Sequence, residues 1–196
     1  LRTDWLDVIL CHEGNLADPS VYLEGFAALQ KEGYIRAWGV STNSLEVLKR
    51  FNSNGGCSVV QVDYSLLNRV PETEFLPYCL ENKIGVMVRG PLAKGLLTGK
   101  YTPENQPAGA RARMFPVEYL GKIQPLLARM REIGAAHGGK SPAQVALRWL
   151  IENERVLPIP GAKNGKQAAD NAGALAFCLT AAENEALNQV TLAWRG

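Results

Sequence analysis

A chain of 196 residues, 46% hydrophobic and 20% charged, has the composition of an ordinary globular protein able to bury a sizeable core. The 21 Lys and Arg against 19 Asp and Glu leave a net charge of +2 without a basic block, which excludes an electrostatic nucleic-acid footprint. No stretch approaches the ~20 apolar residues of a membrane span, and no membrane role is implied. The cysteines, Cys11, Cys57, Cys79 and Cys178, form no CxxC pair, and the histidines complete no zinc-ligand spacing. Reduced, mostly buried thiols in a cytoplasmic protein without a metal are expected.

Leu6 to Leu10 is a nearly continuous apolar run, the pattern of a strand covered on both faces of a parallel sheet, and it ends at His12. Asp18-Pro19-Ser20 supplies an N-cap and first turn; Tyr22, Phe26 and Leu29 then recur at helical spacing until Gly33 stops the helix. Further strands are predicted over 36–41, 58–62 and 84–88, with helices over 45–51 and, after Pro71, over 72–82. From Gly90 to Pro116 the chain is rich in Gly and Pro and carries Arg111-Ala112-Arg113. A connection of that length inside a compact domain reads as a binding loop or lid, or as disorder.

A helix over 117–137 ends at Gly138 and Gly139, and Ser141-Pro142 opens another through Asn153. Val156 to Ile159 is a fifth strand, leading to a polar helix with Gln167, Asp170 and Asn171; Thr180-Ala181-Ala182-Glu183 is a capping box opening a terminal helix. The alternation of strand and helix predicts an α/β parallel sheet with helices outside it, in one domain over 1–196.

Polar groups wait at each strand's exit. After the fifth strand the apolar run breaks at Pro160-Gly161, presents Lys163 and opens the polar helix, an arrangement that aims backbone N–H groups, the helix dipole and a cation at an anion. The plain alternative is a strand-to-helix turn with an exposed Lys. His12 at the end of a strand can hydrogen-bond a substrate carbonyl, or can be a structural histidine.

In chain order, Asp4-Trp5-Leu6-Asp7-Val8-Ile9-Leu10-Cys11-His12, Gly39-Val40-Ser41, Gln61-Val62-Asp63-Tyr64-Ser65-Leu66-Leu67-Asn68-Arg69, Pro91-Leu92-Ala93-Lys94-Gly95-Leu96-Leu97-Thr98-Gly99-Lys100-Tyr101 and the 160–171 stretch resemble successive signatures of the aldo-keto reductases. The resemblance covers nearly the whole chain, and what is resembled is the later part of that family's (β/α)8 TIM barrel, from about its fourth strand onward. It implies a partial barrel of about five parallel strands lacking the N-terminal ones. The chain is shorter than the roughly 250 residues of a complete barrel and opens on Leu1 in mid-pattern, so the remainder of a longer protein is expected.

The resemblance implies an NADP-dependent oxidoreductase that reduces a small-molecule aldehyde or ketone to an alcohol. His12 falls on the family's active-site histidine. Ser41 and Gln61 fall on the positions that hold the nicotinamide amide; Thr42 stands where the family usually has Asn and Asn43 follows it, so either Thr42 supplies the hydroxyl or Asn43 reaches in. Arg89 stands where many members place an aromatic that stacks on nicotinamide, and its guanidinium could stack there or bind phosphate. Gly90, Pro91, Leu92 and Gly95 resemble the segment that passes the pyrophosphate. Gly161, Lys163, Gln167, Asp170 and Asn171 resemble the stretch that grips the adenosine end. Lys163 suits a 2′-phosphate, which favours NADP over NAD, and Asp170 acts either on Lys163 or on a ribose. The family's proton-donating Tyr and its supporting Lys and Asp belong to earlier strands, so this chain alone is expected to be inactive. Two rivals stand beside this reading: a non-catalytic nicotinamide-nucleotide-binding or regulatory subunit, and a piece whose unpaired sheet edges prevent a stable fold. Neither the physiological substrate nor the oligomeric state is legible.

Overall fold

The apolar runs become β1 (Leu6–Cys11), β2 (Ile35–Ser41), β3 (Val59–Asp63), β4 (Gly85–Arg89) and β5 (Val156–Pro158), lying side by side in chain order in one sheet. The computed structural model describes residues 2–12 and 14–196. The pairs β1–β2, β2–β3 and β3–β4 are parallel, each connection carrying helix: α1 (Ser20–Lys31), α2 (Leu45–Phe51) and α3 (Phe75–Glu81). This is the predicted α/β architecture.

The chain divides into two compact units. The first runs up to Asp63 and takes in Pro71–Arg89 and Arg155–Leu157; the second comprises Tyr64–Val70, Gly90–Glu154 and Pro158–Gly196. In the first, β3 and β4 alternate strictly: Val60, Val62, Val86 and Val88 are buried, while Val59, Gln61, Asp63, Met87 and Arg89 are half-buried on the opposite face. Phe26 of α1 stacks on Trp38 of β2 with ring centroids 5.1 Å apart, and Leu48 and Phe51 of α2 are fully buried. At Gly39 the strands approach so closely that a Cβ would run into the carbonyl of its ladder partner Val59; only glycine fits there.

In the second unit, the apolar faces of α6 (Gln124–Ala136), α7 (Pro142–Ile151) and α9 (Ala181–Val190) form the core through Leu126, Leu127, Met130, Val145, Leu150 and Leu187. Arg69 is buried there, donating to the Asn188 carbonyl at 2.9 Å and to Thr191 Oγ1 at 2.8 Å. Capping boxes open α7 at Ser141 and Gln144 and α9 at Thr180 and Glu183.

Several expectations change. The apolar run of β1 is not covered on both faces: Val8 is 43% exposed, on a strand that among the described residues has β2 as its only strand neighbour. The third and fourth strands run one residue later than predicted, since Asp63 and Arg89 pair across the ladder and extend it. The predicted helix over 117–137 is two, α5 (Val117–Lys122) and α6, broken at Ile123, with Pro125 in the first turn of the second. The long connection after β4 carries a tight turn at Ala93–Thr98, kinked at Lys94 and Gly95, and the short helix α4 (Ala110–Met114). The helix predicted over 72–82 begins later, at Phe75, after a 3-10 turn at Val70–Glu72.

Cys11, Cys57 and Cys79 are buried and Cys178 is exposed. Burial pushes the Cys57 and Cys79 thiols up to about 11 and about 12, so neither is a nucleophile near neutral pH. No helix among the described residues is long and apolar enough to cross a membrane.

Candidate active site and a second cleft

Parallel strands deliver their C-terminal residues to the same sheet end, and the register fixes which ones meet. Cys11 pairs with Val40, Ser41 with Gln61 and Asp63 with Arg89, so His12, one residue past β1, joins that row. A cleft of about 540 Å³ opens there, lined by His12, Gly14, Asn15, Ser41, Thr42, Asn43, Ser44 and Arg89. Every side chain among these is polar. Ser41 Oγ donates to Gln61 Oε1 at 3.3 Å, which fixes the carboxamide and leaves its N–H2 as a donor. Gln61 does not line the cleft itself; it adjoins it through Ser41.

Thr42 and Asn43 make different hydrogen bonds. Thr42 is buried, its hydroxyl donating to the Gly14 carbonyl at 2.8 Å and accepting from the Ser44 N–H at 3.0 Å. Asn43 is exposed and accepts from the Asp63 N–H at 3.0 Å through Oδ1. Arg89 Nη1 donates to Asp63 Oδ2 at 2.9 Å, which ties the guanidinium to a carboxylate.

The second unit holds its own cleft, of about 640 Å³. Nine of the predicted residues line it: Gly90, Pro91, Leu92 and Gly95 from the connection after β4, and Gly161, Lys163, Gln167, Asp170 and Asn171 from the region after β5. The latter group surrounds α8 (Gly165–Ala172), whose N-cap Asn164 accepts from the Gln167 N–H at 2.9 Å. The Gln167 side chain reaches one residue further back, its Oε1 accepting from the Lys163 N–H at 2.7 Å. Two N–H groups near this helix start are therefore satisfied internally, and the charge presented to a ligand comes chiefly from side chains.

Those side chains include residues that sequence reasoning missed. Lys94, Lys100 and Arg111 line the cleft together with Lys163, against a single lining carboxylate, Asp170. None of the four cations has a carboxylate partner among the described residues, and Asp170 is not paired with Lys163. Lys94 Nζ rests 3.8 Å from Met114 Sδ; Lys100 hydrogen-bonds Tyr101 and holds its hydroxyl below the usual value, with Arg111 helping. The turn that presents Lys94 is unusual: Ala93, Lys94 and Gly95 all have positive φ, at 46°, 56° and 96°. A run of left-handed residues, two of them not glycine, is strain of the kind found at ligand sites. The available signal was Arg111 and Lys100 within a long Gly-rich connection; their convergence with Lys163 is set by the fold. Among the described residues no group of three or more His, Cys, Asp or Glu side chains is arranged to hold a metal.

The structure thus sorts the strand-end residues into two groups, His12, Ser41, Thr42, Gln61 and Arg89 in the first unit and Lys163 in the second.

Comparison with known proteins is consistent with this geometry. The model of the aldo/keto reductase family matches residues 1–191. That match runs across almost the whole chain. An uncharacterised oxidoreductase of Mycobacterium tuberculosis is 40% identical over 201 residues, covering 100% of this chain and 62% of the relative. The NADH-specific methylglyoxal reductase of Escherichia coli is 32% identical over 190 residues, covering 93% of this chain and 58% of the enzyme. Among solved structures, an aldo/keto reductase from Klebsiella pneumoniae in complex with NADP and acetate is 30% identical, with a TM-score of 0.72, covering 97% of this chain and 60% of that one. The chain therefore spans about three fifths of the length of the proteins it matches.

Proposed function

The chain belongs to the aldo/keto reductase family, and on that premise we propose that the whole protein is an NADP-dependent oxidoreductase that reduces an aldehyde or ketone to the alcohol. The observation that carries this reading is the cleft of the second unit, with four cations lacking carboxylate partners among the described residues and one carboxylate along its walls. That charge balance fits a ligand with several phosphate charges, and Lys, Arg and backbone N–H groups are the donors such a ligand needs. Lys94, Lys100, Arg111 and Lys163 would hold the phosphates, Gly90 to Gly95 would let the backbone approach them, and Asp170, Gln167 and Asn171 would meet the adenosine end. With no ion pair to Lys163, the Asp170 carboxylate is available to a ribose hydroxyl. The surplus of cations favours NADP over NAD, although a relative named NADH-specific shares 32% of its residues.

In the first unit, Ser41, Gln61 and Asn43 supply the hydroxyl and carboxamides that would grip a nicotinamide amide. The flat guanidinium of Arg89 would take the stacking position. His12 would orient the substrate carbonyl through a hydrogen bond. When bound, the cofactor supplies a hydride to the carbonyl carbon, and a proton delivered to the oxygen completes the alcohol.

The test is an assay of NADPH and NADH oxidation by the full-length protein with a panel of aldehydes and ketones. Turnover with NADPH ahead of NADH is expected. Tight nucleotide binding with no turnover of any carbonyl would overturn the enzyme reading in favour of a nucleotide-binding regulatory subunit.

A further inference from the structure

The cleft beside His12 carries a feature that general carbonyl reduction does not require. Among the described residues that line it, Arg89 is the only side chain of fixed charge, and the rest are hydroxyls, carboxamides, glycine backbone and His12. Arg89 is also held from behind. Its ladder partner Asp63 accepts from Nη1 at 2.9 Å, and Asp63 is itself anchored through its N–H to Asn43 Oδ1 at 3.0 Å. A guanidinium has five N–H donors, and with the side chain 39% exposed the remaining fork is open to a ligand.

We propose that Arg89 is the specificity-determining residue for a carbonyl substrate that also bears a carboxylate, such as an aldehyde acid or a 2-oxo acid. The proposal rests on the reductase reading above. A guanidinium already oriented by one carboxylate presents a planar fork that matches a second, while its face stays available to an aromatic ring. A phosphate group fits less well, because it carries nearly two negative charges and this cleft offers one cation partly offset by Asp63. A wholly apolar substrate would leave the polar walls unpaired. With the carboxylate on Arg89 and the carbonyl oxygen on His12, hydride adds to the carbonyl carbon and a proton to its oxygen; the carboxylate emerges unchanged.

The experiment measures kcat/KM of the full-length protein with NADPH for 4-oxobutanoate, its methyl ester and an aldehyde bearing a phosphate. The acid is expected to exceed the ester by about tenfold or more, the scale of one charge-assisted contact. Because both substrates share the cofactor, their ratio cancels any common change in cofactor binding. Arg89→Gln should bring the ratio close to one. Asp63→Asn should raise it, because the carboxylate that offsets the guanidinium is withdrawn; general damage to the site would not move the two variants in opposite directions. Equal rates for acid and ester, a ratio unmoved by Arg89→Gln, or preference for the phosphate would each overturn the inference while leaving the reductase reading intact. Failure to turn over any of the three would overturn the inference, and the reductase reading would fall only if the wider panel of aldehydes and ketones failed as well.

Discussion

The two clefts are built by different means. In the first unit the chemistry-bearing residues are far apart in sequence, and the ladder register brings them together: Ser41 against Gln61, Asp63 against Arg89, His12 one step beyond Cys11. In the second unit they lie in two local stretches, and what shapes them is side-chain capping and a left-handed turn, with Asn164 and Gln167 bonding the start of α8 and Ala93 to Gly95 presenting Lys94. A site held by a ladder is as rigid as its sheet. A site held by caps and turns depends on contacts worth about 1 kcal/mol each.

The largest expected effect attacks the ladder. Gly39→Ala would drive a Cβ into the Val59 carbonyl, and the clash is with backbone, so β2 and β3 must separate. A loss of about 3 kcal/mol or more is expected, at or beyond the upper end for overpacking. Chemical denaturation measures it. A cost below about 1 kcal/mol would mean that the first cleft is not held by the close pairing of these strands.

Next comes a charge in the second cleft. Lys163→Ala should weaken NADPH binding by about 1.5–3 kcal/mol and NADH by much less, because only the former offers a 2′-phosphate to the missing cation. Fluorescence titration of both cofactors gives the difference. Equal losses would assign the reading of that phosphate to Lys94, Lys100 or Arg111 instead.

The same contrast explains what was legible in the sequence. Strand exits follow from apolar runs, so His12, Ser41, Gln61 and Arg89 could be named from pattern and resemblance, and they do fall at one sheet end. The hydrogen bonds of Thr42 could not be read in advance, because one runs to Gly14, a contact across 28 positions. Lys94, Lys100 and Arg111 were not named as site residues for a related reason: their connection has no periodicity, and their approach to Lys163 depends on the turn at Ala93–Thr98 and on α4. The exposure of β1 escaped too, since an apolar run reports what a strand could bury and not whether a neighbour is there to cover it.

A smaller effect tests the cap. Asn164→Ala removes the acceptor for the Gln167 N–H and should cost about 1 kcal/mol of local stability. No residue of α8 is buried, so little packing holds the helix once the cap is gone. Hydrogen exchange should show faster exchange across 165–172 with β2 to β4 unchanged. Spread of the effect into the strands would contradict the division between the two kinds of support.

The smallest effect is a pH dependence in the second unit. Glu183 closes the capping box of α9, its carboxylate accepting from the Thr180 N–H at 2.8 Å, and both its oxygens lie 3.0 Å from His137 Nε2 at the end of α6. Burial pushes the Glu183 carboxyl up, but the hydrogen bonds from His137 and Thr180 together outweigh it and hold the group below its usual value. A carboxyl whose folded value is depressed binds its proton less readily when folded than when unfolded. Its stabilisation is therefore present above the ordinary glutamate range, near pH 4.5, and is lost as pH falls through the lower folded value. Hydrogen exchange followed from neutral pH into that range should reveal α9 opening earlier than it does with Glu183→Gln, in which this titration is absent. The strands of the first unit should keep their protection over the same interval. If the variant and the natural protein lose α9 protection at the same pH, the capping box does not sense acid and other carboxylates set the limit.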